Sequence, residues 1–290
     1  MCLVFGVITL TLDEYQVEAH KTAKSRDIEV FTLGLFGEAG SVASSIKKLK
    51  RENTAAEVVR AEIATELGDV LWYLAEIATY YGLNLSDIAE KNIEKSRFLF
   101  AGSTGRLDQK APSRQRFPDK LSLAFDPAGE KVHIRINGKP FGDPLDDNSH
   151  DDDGYRFHDV FHLAYMTRLG WSPVVRKQLG LKRRYDSNVD RVEDGARAIF
   201  LEEGISVFVF NQNTRTTEGI SAFSDRRNIP FSVLSAIKVM TKTLEVNTRD
   251  ITAWRDAISM GFQNFDKLAN GNGGRLACDL RGKKMKFTAQ

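Results

Sequence analysis

Three carboxylates, Glu62, Glu66 and Asp69, stand at spacings of four and three residues. In a helix those spacings stack all three on one face. Ile63, Ala64, Leu67, Val70, Leu71 and Leu74 surround them, so that face lies beside a core. Like charges stacked this way repel, and carboxylates beside apolar surface lose hydration. A cation relieves both costs. Upstream, Glu38 sits in an equally apolar, glycine-rich stretch, LGLFGEAGSVA. Gly34, Gly37 and Gly40 weaken a helix and are tolerated where helices approach closely. Carboxylates from facing helices of a bundle make an oxygen site for a hard divalent ion. The alternative is a solvated face neutralised by lysines such as Lys47 and Lys48. Spacing alone does not separate the two.

A second constellation lies in HDVFH. His158 and His162 are four residues apart, which is metal-ligand spacing and superficially the zincin form, with Asp159 in place of Glu. No glycine-histidine extension follows, so a zincin protease is not expected. Glu193, Glu202 and Glu203 on the next helical segment are candidate further ligands. The alternative is that both histidines are partly buried and simply hydrogen-bonded to those carboxylates. Arg176, Lys177, Lys182, Arg183 and Arg184 form a short basic run that would suit a phosphate or a nucleic acid backbone. The plainer reading is a solvated loop balancing the acidic stretch at 146–153. No Gly-rich phosphate loop and no Gly-x-Gly-x-x-Gly is present.

The elements that must position these groups are mostly helices. Thr11 or Asp13 caps a first helix that runs to about Lys24. Helical spacing returns from Ile28 to Leu49 and again from Ala55 to Tyr81, and Gly82 is a suitable C-cap. Ser86 is expected to cap a fourth helix. Residues 101–120 are rich in Gly, Ser, Pro and Arg and read as a linker. The stretch 121–145 alternates as strands do, and Asn137-Gly138 marks a tight turn. Four more helices are expected over 155–270, the first stopped before Pro173, followed by a β-like tail that could pair with the ribbon. The fold class is therefore mainly α: a four-helix bundle over 1–100 and a C-terminal domain over 121–290. A degenerate repeat, Glu38-Ala39-Gly40-Ser41-Val42 against Glu203-Gly204-Ile205-Ser206-Val207, relates the two halves; coincidence between helical blocks explains it nearly as well.

Gross composition sets limits. The chain has 290 residues, 42% hydrophobic and 28% charged, enough for two domains with their own cores. A net charge of +2 argues neither for nor against a polyanionic partner. Two cysteines, Cys2 and Cys278, rule out a disulfide framework and suit a reducing compartment. The N-terminal MCLVFGVITLTLDEYQ lacks a basic region and a cleavage site, and no run is long enough to span a bilayer. A soluble cytoplasmic protein is expected.

The words GLFGEAGSV, ELGDVLWYLAEIATYYGLNL and NIEKSRFLF, in that order, closely resemble the MazG-like all-α NTP pyrophosphatase family. The resemblance covers about residues 10–100. It implies an antiparallel helical bundle, dimeric or larger, that binds Mg²⁺ (with Mn²⁺ as an alternative) through Glu-x-x-Glu and Glu-x-x-Asp. It implies cleavage of nucleoside triphosphates to the monophosphate and pyrophosphate. Carried over, Glu38 matches the first Glu, and Glu66 and Asp69 match the second pair. Asn92, Lys95 and Arg97 match residues that meet the phosphates and sugar, Tyr73 would face the same cavity, and Trp72 would pack nearby. Ser41 stands where the family has its second Glu. Glu62 then supplies the missing charge, or the site works slowly with fewer ions, or only nucleotide binding survives. In the implied mechanism Glu38, Glu66 and Asp69 hold the ion. Glu62 or Glu38 orients the attacking water, and Lys95 and Arg97 stabilise developing charge. The run HDVFHLAY, GWSPV, EDGARAI and EEGIS resembles an extension attached to some MazG-like proteins and implies no function. Three readings follow: a pyrophosphohydrolase, a catalytically silent nucleotide-sensing module acting through the C-terminal domain, or a helical scaffold. Neither a membrane nor a nucleic acid is the expected partner.

Overall fold

The computed structural model describes residues 10–52, 56–150 and 152–289. Cys2, the apolar N-terminal run, Ala55 and Asp151 lie outside the described residues. The chain forms two compact units, Met1–Lys95 and Ser96–Gln290.

The first unit is helical: α1 (Leu12–Thr22), α2 (Ile28–Glu52), α3 (Ala56–Tyr80) and the start of α4 (Leu85–Phe100). A capping box opens α1. The Thr11 hydroxyl accepts from Glu14 N at 3.2 Å while Thr11 N donates to the Glu14 carboxylate at 2.8 Å. Both α1 and α2 pack along α3. Gln16 of α1 ties the α3–α4 turn: its Nε2 donates to Leu83 O at 2.8 Å and its Oε1 accepts from Leu85 N at 2.8 Å. Ser86 does not cap α4. It lies in the first turn, and its N–H donates to Asp13 of α1, so a distant carboxylate does the capping. The buried apolar cluster is small, Ala19, Ala75, Ala78 and Leu85.

The second unit carries an antiparallel sheet of β1 (Lys120–Ala128), β2 (Lys131–Ile136), β3 (Lys139–Pro140), β4 (Gly274–Asp279) and β5 (Lys284–Thr288). The strand order is β3-β2-β1-β4-β5, so the tail does pair with the ribbon, Leu123 opposite Leu276. Asn137 and Gly138 make the β2–β3 turn with φ of 51° and 77°, the left-handed pair that a tight hairpin needs. Alternation buries Leu123, Phe125, Val132, Ile134, Leu276 and Cys278, which share one cluster with residues of α5 (Asp159–Leu169) and α10 (Ile251–Asn270). Burial pushes the Cys278 thiol up to about 11, so it is an inert apolar filler.

Between α5 and α10 lie α6 (Pro173–Gln178), α7 (Ser187–Val192), α8 (Ala196–Gln212) and α9 (Phe231–Met240). The sequence pattern anticipates four helices here and the structure has six. Pro173 does not merely stop a helix. It occupies the first turn of α6 behind a Ser172 N-cap, where its missing N–H costs nothing. The stretch 101–120 is no linker either: Asp108, Ala111 and Phe117 are buried within the second unit. Arg106 pairs with Asp108 at 2.9 Å and Asp119 at 2.9 Å. Three residues of the basic run are likewise absorbed, while Lys177 and Arg184 are exposed. Arg176 pairs with Asp108 and Asp194, Lys182 with Asp190, and Arg183 with Asp194 and Glu245, rather than with the acidic 146–153 loop. Among the described residues no helix is long and apolar enough to cross a membrane.

Candidate active site

Antiparallel packing of α2 on α3 sets Glu38 opposite Glu66 and Asp69. One carboxylate oxygen from each lies within 4.8 Å of the other two. Glu38 and Glu66 are half-buried and Asp69 is exposed. The Glu38 carboxyl is held above its usual range, first by partial desolvation, then by repulsion from Asp69 and Glu66 and a hydrogen bond shared with Glu66. Among the described residues none of the three is in an ion pair, and Lys47 and Lys48 stay exposed in solvent. Three uncompensated carboxylates with oxygens this close match the donor set of a hard divalent cation.

Tyr73 belongs to the same stripe. It is one turn past Asp69 on α3 and lies against Gly34, one turn before Glu38 on α2. A Cβ on Gly34 would come to 2.2 Å from the Tyr73 ring, so the ring in this position leaves no room for a side chain there. Gly37 and Gly40 face open space within this chain, and the expectation of close packing fails for them. Trp72 donates Nε1–H to Thr22 at 2.8 Å and meets Phe31 edge-on, so it holds helices together. Glu62, one turn before Glu66, is exposed and outside the trio. Asn92 and Lys95 are exposed on α4, with no hydrogen bond to the trio among the described residues. Arg97 is exposed and lies past the unit boundary. Sequence reasoning missed Tyr15. Its phenol pKa is raised by burial and by the charge of Asp69, which is near enough to act on it. The only sequence sign was an aromatic at helical spacing in α1.

In the second unit, α5 and α8 bring His158, Asp159, His162, Glu202 and Glu203 together. Glu202 accepts from His162 Nδ1 at 2.9 Å, Ser172 Oγ at 2.6 Å and Val174 N at 2.8 Å. Glu203 Oε2 lies 3.1 Å from His162 Nε2. Burial disfavours charge on His162, but Glu202 and Glu203 outweigh it and hold the imidazole well above its ordinary value.

Glu193 does not join them. It accepts from Glu245 N at 3.0 Å, within the Arg183–Asp194–Glu245 network. Burial pushes its carboxyl up to about 7, the Glu245 N–H opposes this, and the nearby Glu245 charge adds to it. Because the folded-state value is raised, the associated stability is complete below pH 4.5 and is lost as pH rises through 7. Glu193→Gln is therefore expected to leave stability at pH 4 unchanged and to raise it at pH 9 by about 1 kcal/mol after solvent screening. Urea unfolding at the two pH values measures this; equal stabilities at pH 9 would contradict it.

Two family models match the chain. The MazG nucleotide pyrophosphohydrolase domain covers residues 26–98, and the MazG C-terminal domain covers residues 103–290. The chain is also similar to the Gene 37 protein of Mycobacterium phage L5, 33% identical over 95 residues, spanning 29% of this chain and 83% of that protein. No solved structure matches.

Proposed function

The chain belongs to the MazG family, and on that footing we propose that its first unit hydrolyses nucleoside triphosphates to the monophosphate and pyrophosphate with Mg²⁺, Mn²⁺ being an alternative. The observation that carries this reading is the convergence of Glu38, Glu66 and Asp69 from two helices. These three would hold the ion. Bound there, a divalent cation neutralises phosphate charge and lowers the pKa of a coordinated water. A Glu38 oxygen left free of the ion would orient the attacking water. Glu62 stands one turn away as the alternative base. Tyr73 lines the stripe, while Asn92, Lys95 and Arg97 are assigned to the sugar and phosphates. Lys95 and Arg97 favour the transition state by meeting the charge that develops on the leaving pyrophosphate. Cytoplasm is the proposed location, where both nucleotides and a reduced Cys278 are found.

We also assign a homo-oligomer, a dimer or tetramer, to this unit. Its buried cluster is built mostly from alanines, yet Leu33 and Phe36 on α2 are 72% and 80% exposed. Gly37 and Gly40 continue that face with open space in front of them. On α3, Leu67 and Leu74 are also exposed. A second copy covering this surface supplies the burial the unit lacks.

Ser41 favours one competing reading, a nucleotide sensor whose site has lost a carboxylate. The test is pyrophosphate release from a panel of ribo- and deoxynucleoside triphosphates, with and without Mg²⁺. The expected result is equimolar monophosphate and pyrophosphate, abolished by chelator, and a faster rate in Ser41→Glu. Nucleotide binding without turnover, unchanged by Ser41→Glu, would establish the sensor instead. Absence of any nucleotide-dependent thermal shift would leave a scaffold.

A further inference from the structure

We propose that His158, Asp159 and His162, joined by Glu203, bind a divalent transition cation of the Zn²⁺, Co²⁺, Mn²⁺ or Fe²⁺ class, in a site built wholly within the second unit. One donor atom of each of His158, Asp159 and His162 lies within 4.8 Å of the other two. Asp159 Oδ1 is 3.8 Å from His158 Nε2 and 4.0 Å from His162 Nε2, and Glu203 Oε2 is 3.1 Å from His162 Nε2. Two ligands at about 2.1 Å from one ion are at most about 4.2 Å apart, so these three separations already fit a shared cation.

The surroundings are those that metal-binding histidines need. Each imidazole has its other nitrogen anchored. His158 Nδ1 donates to Tyr155 O at 3.0 Å, and His162 Nδ1 to Glu202 at 2.9 Å. That leaves His158 Nε2 3.8 Å from Asp159, and His162 Nε2 facing Glu203 with Asp159 4.0 Å away. Glu202 is itself fixed by Ser172 and Val174, a supporting shell that orients the ring without occupying the ligand position. Tyr155 stacks on His158 at 4.6 Å between ring centroids and locks its rotation. His158, Asp159 and His162 are buried, whereas Glu203 reaches solvent and marks the route of entry.

Charge points the same way. Asp159 and Glu203 face the imidazoles from α5 and α8, Glu202 stands behind His162, and Asp147 of the acidic loop lies 3.8 Å from His158 Nδ1. Lys177 contributes an attractive field at Glu203. Four carboxylates around two imidazoles leave net negative charge in a largely buried site, which a divalent ion offsets. Mixed imidazole and carboxylate donors select borderline transition ions over Mg²⁺.

The full-length chain carrying Glu66→Ala and Asp69→Ala, which erase the oxygen-only site, is stripped with chelator and titrated with Zn²⁺ and Co²⁺. The expected result is one tightly held Zn²⁺ per chain and Co²⁺ visible absorption typical of nitrogen ligation. In the same background His158→Gln and Glu203→Gln each weaken Zn²⁺ binding by about 100-fold. Both glutamines keep a polar side chain of similar reach, so the metal-free circular dichroism spectrum is retained, and metal-free melts of each variant separate any loss of stability from loss of Zn²⁺ binding. No Zn²⁺ binding above that of exposed carboxylates, or binding unaltered by His158→Gln, would overturn the proposal. The pyrophosphatase reading is untouched by either outcome, because its carboxylates are absent from this background.

Discussion

Glu66→Gln and Asp69→Asn are each expected to lower kcat/KM for pyrophosphate release by about 10³-fold, roughly 4 kcal/mol of transition-state stabilisation. Both substitutions keep shape and remove charge. The trio has no compensating lysine or arginine among the described residues, so the loss falls on the bound cation and not on a salt bridge. For the same reason the fold is expected to tolerate them: removing one of three mutually repelling carboxylates relieves strain, and Tm holds or rises slightly. Steady-state kinetics with a pyrophosphate-coupled assay, beside thermal melts, separate the two effects. Rates within threefold of wild type in both variants would show that these carboxylates do not hold the catalytic ion. Glu62→Gln, one turn away and outside the trio, should cost far less, about tenfold at most if Glu38 is the base.

A second large effect belongs to stability. Asp194 is buried and accepts from Arg183 N at 2.6 Å and Arg183 Nη2 at 2.7 Å, with Arg176 Nε at 3.5 Å. Asp194→Ala leaves two buried guanidiniums short of a counter-charge. Breaking a buried pair from one side costs about 3–5 kcal/mol, which for a unit of this size lowers Tm by about 10 °C. Circular dichroism melts of the full chain measure it. A Tm loss under about 2 °C would mean that Glu245 and Asp108 suffice to compensate both arginines.

These two cases show what a linear pattern reveals and what it hides. Glu66 and Asp69 were readable because helical periodicity puts them on one face, and Glu38 because its apolar setting requires a reason for a charge. The Asn137-Gly138 turn and the Thr11–Glu14 box were readable because both are local chemistry. Asp194 was not, since its value comes from Arg183 and Arg176, and a charged run in a loop looks solvated until its partners are known. Residues 101–120 read as a linker for the same reason. Their Gly, Pro and Arg content hides Asp108, whose partner Arg176 is 68 residues away. The helix before Pro173 does stop short of it, at Leu169, but the pattern does not reveal that Pro173 also opens α6, because a proline fits a first turn as well as it follows an end. Glu193 shares a helical neighbourhood with Glu202 and Glu203 in sequence, yet the break at Gly195 before α8 sends it to a different cluster. Tyr15 needed the packing of α1 against α3 to come beside Asp69.

The most direct test of the account is Mn²⁺ binding, followed by electron paramagnetic resonance in the presence of a nucleotide whose α,β-bridging oxygen is replaced by methylene. The wild-type chain should bind Mn²⁺ and nucleotide together, each strengthening the other. The Glu38→Gln, Glu66→Gln, Asp69→Asn triple variant should lose at least 100-fold in Mn²⁺ affinity while keeping its helical signal. Equal Mn²⁺ and nucleotide binding by the two proteins would contradict a cation-mediated nucleotide site between α2 and α3.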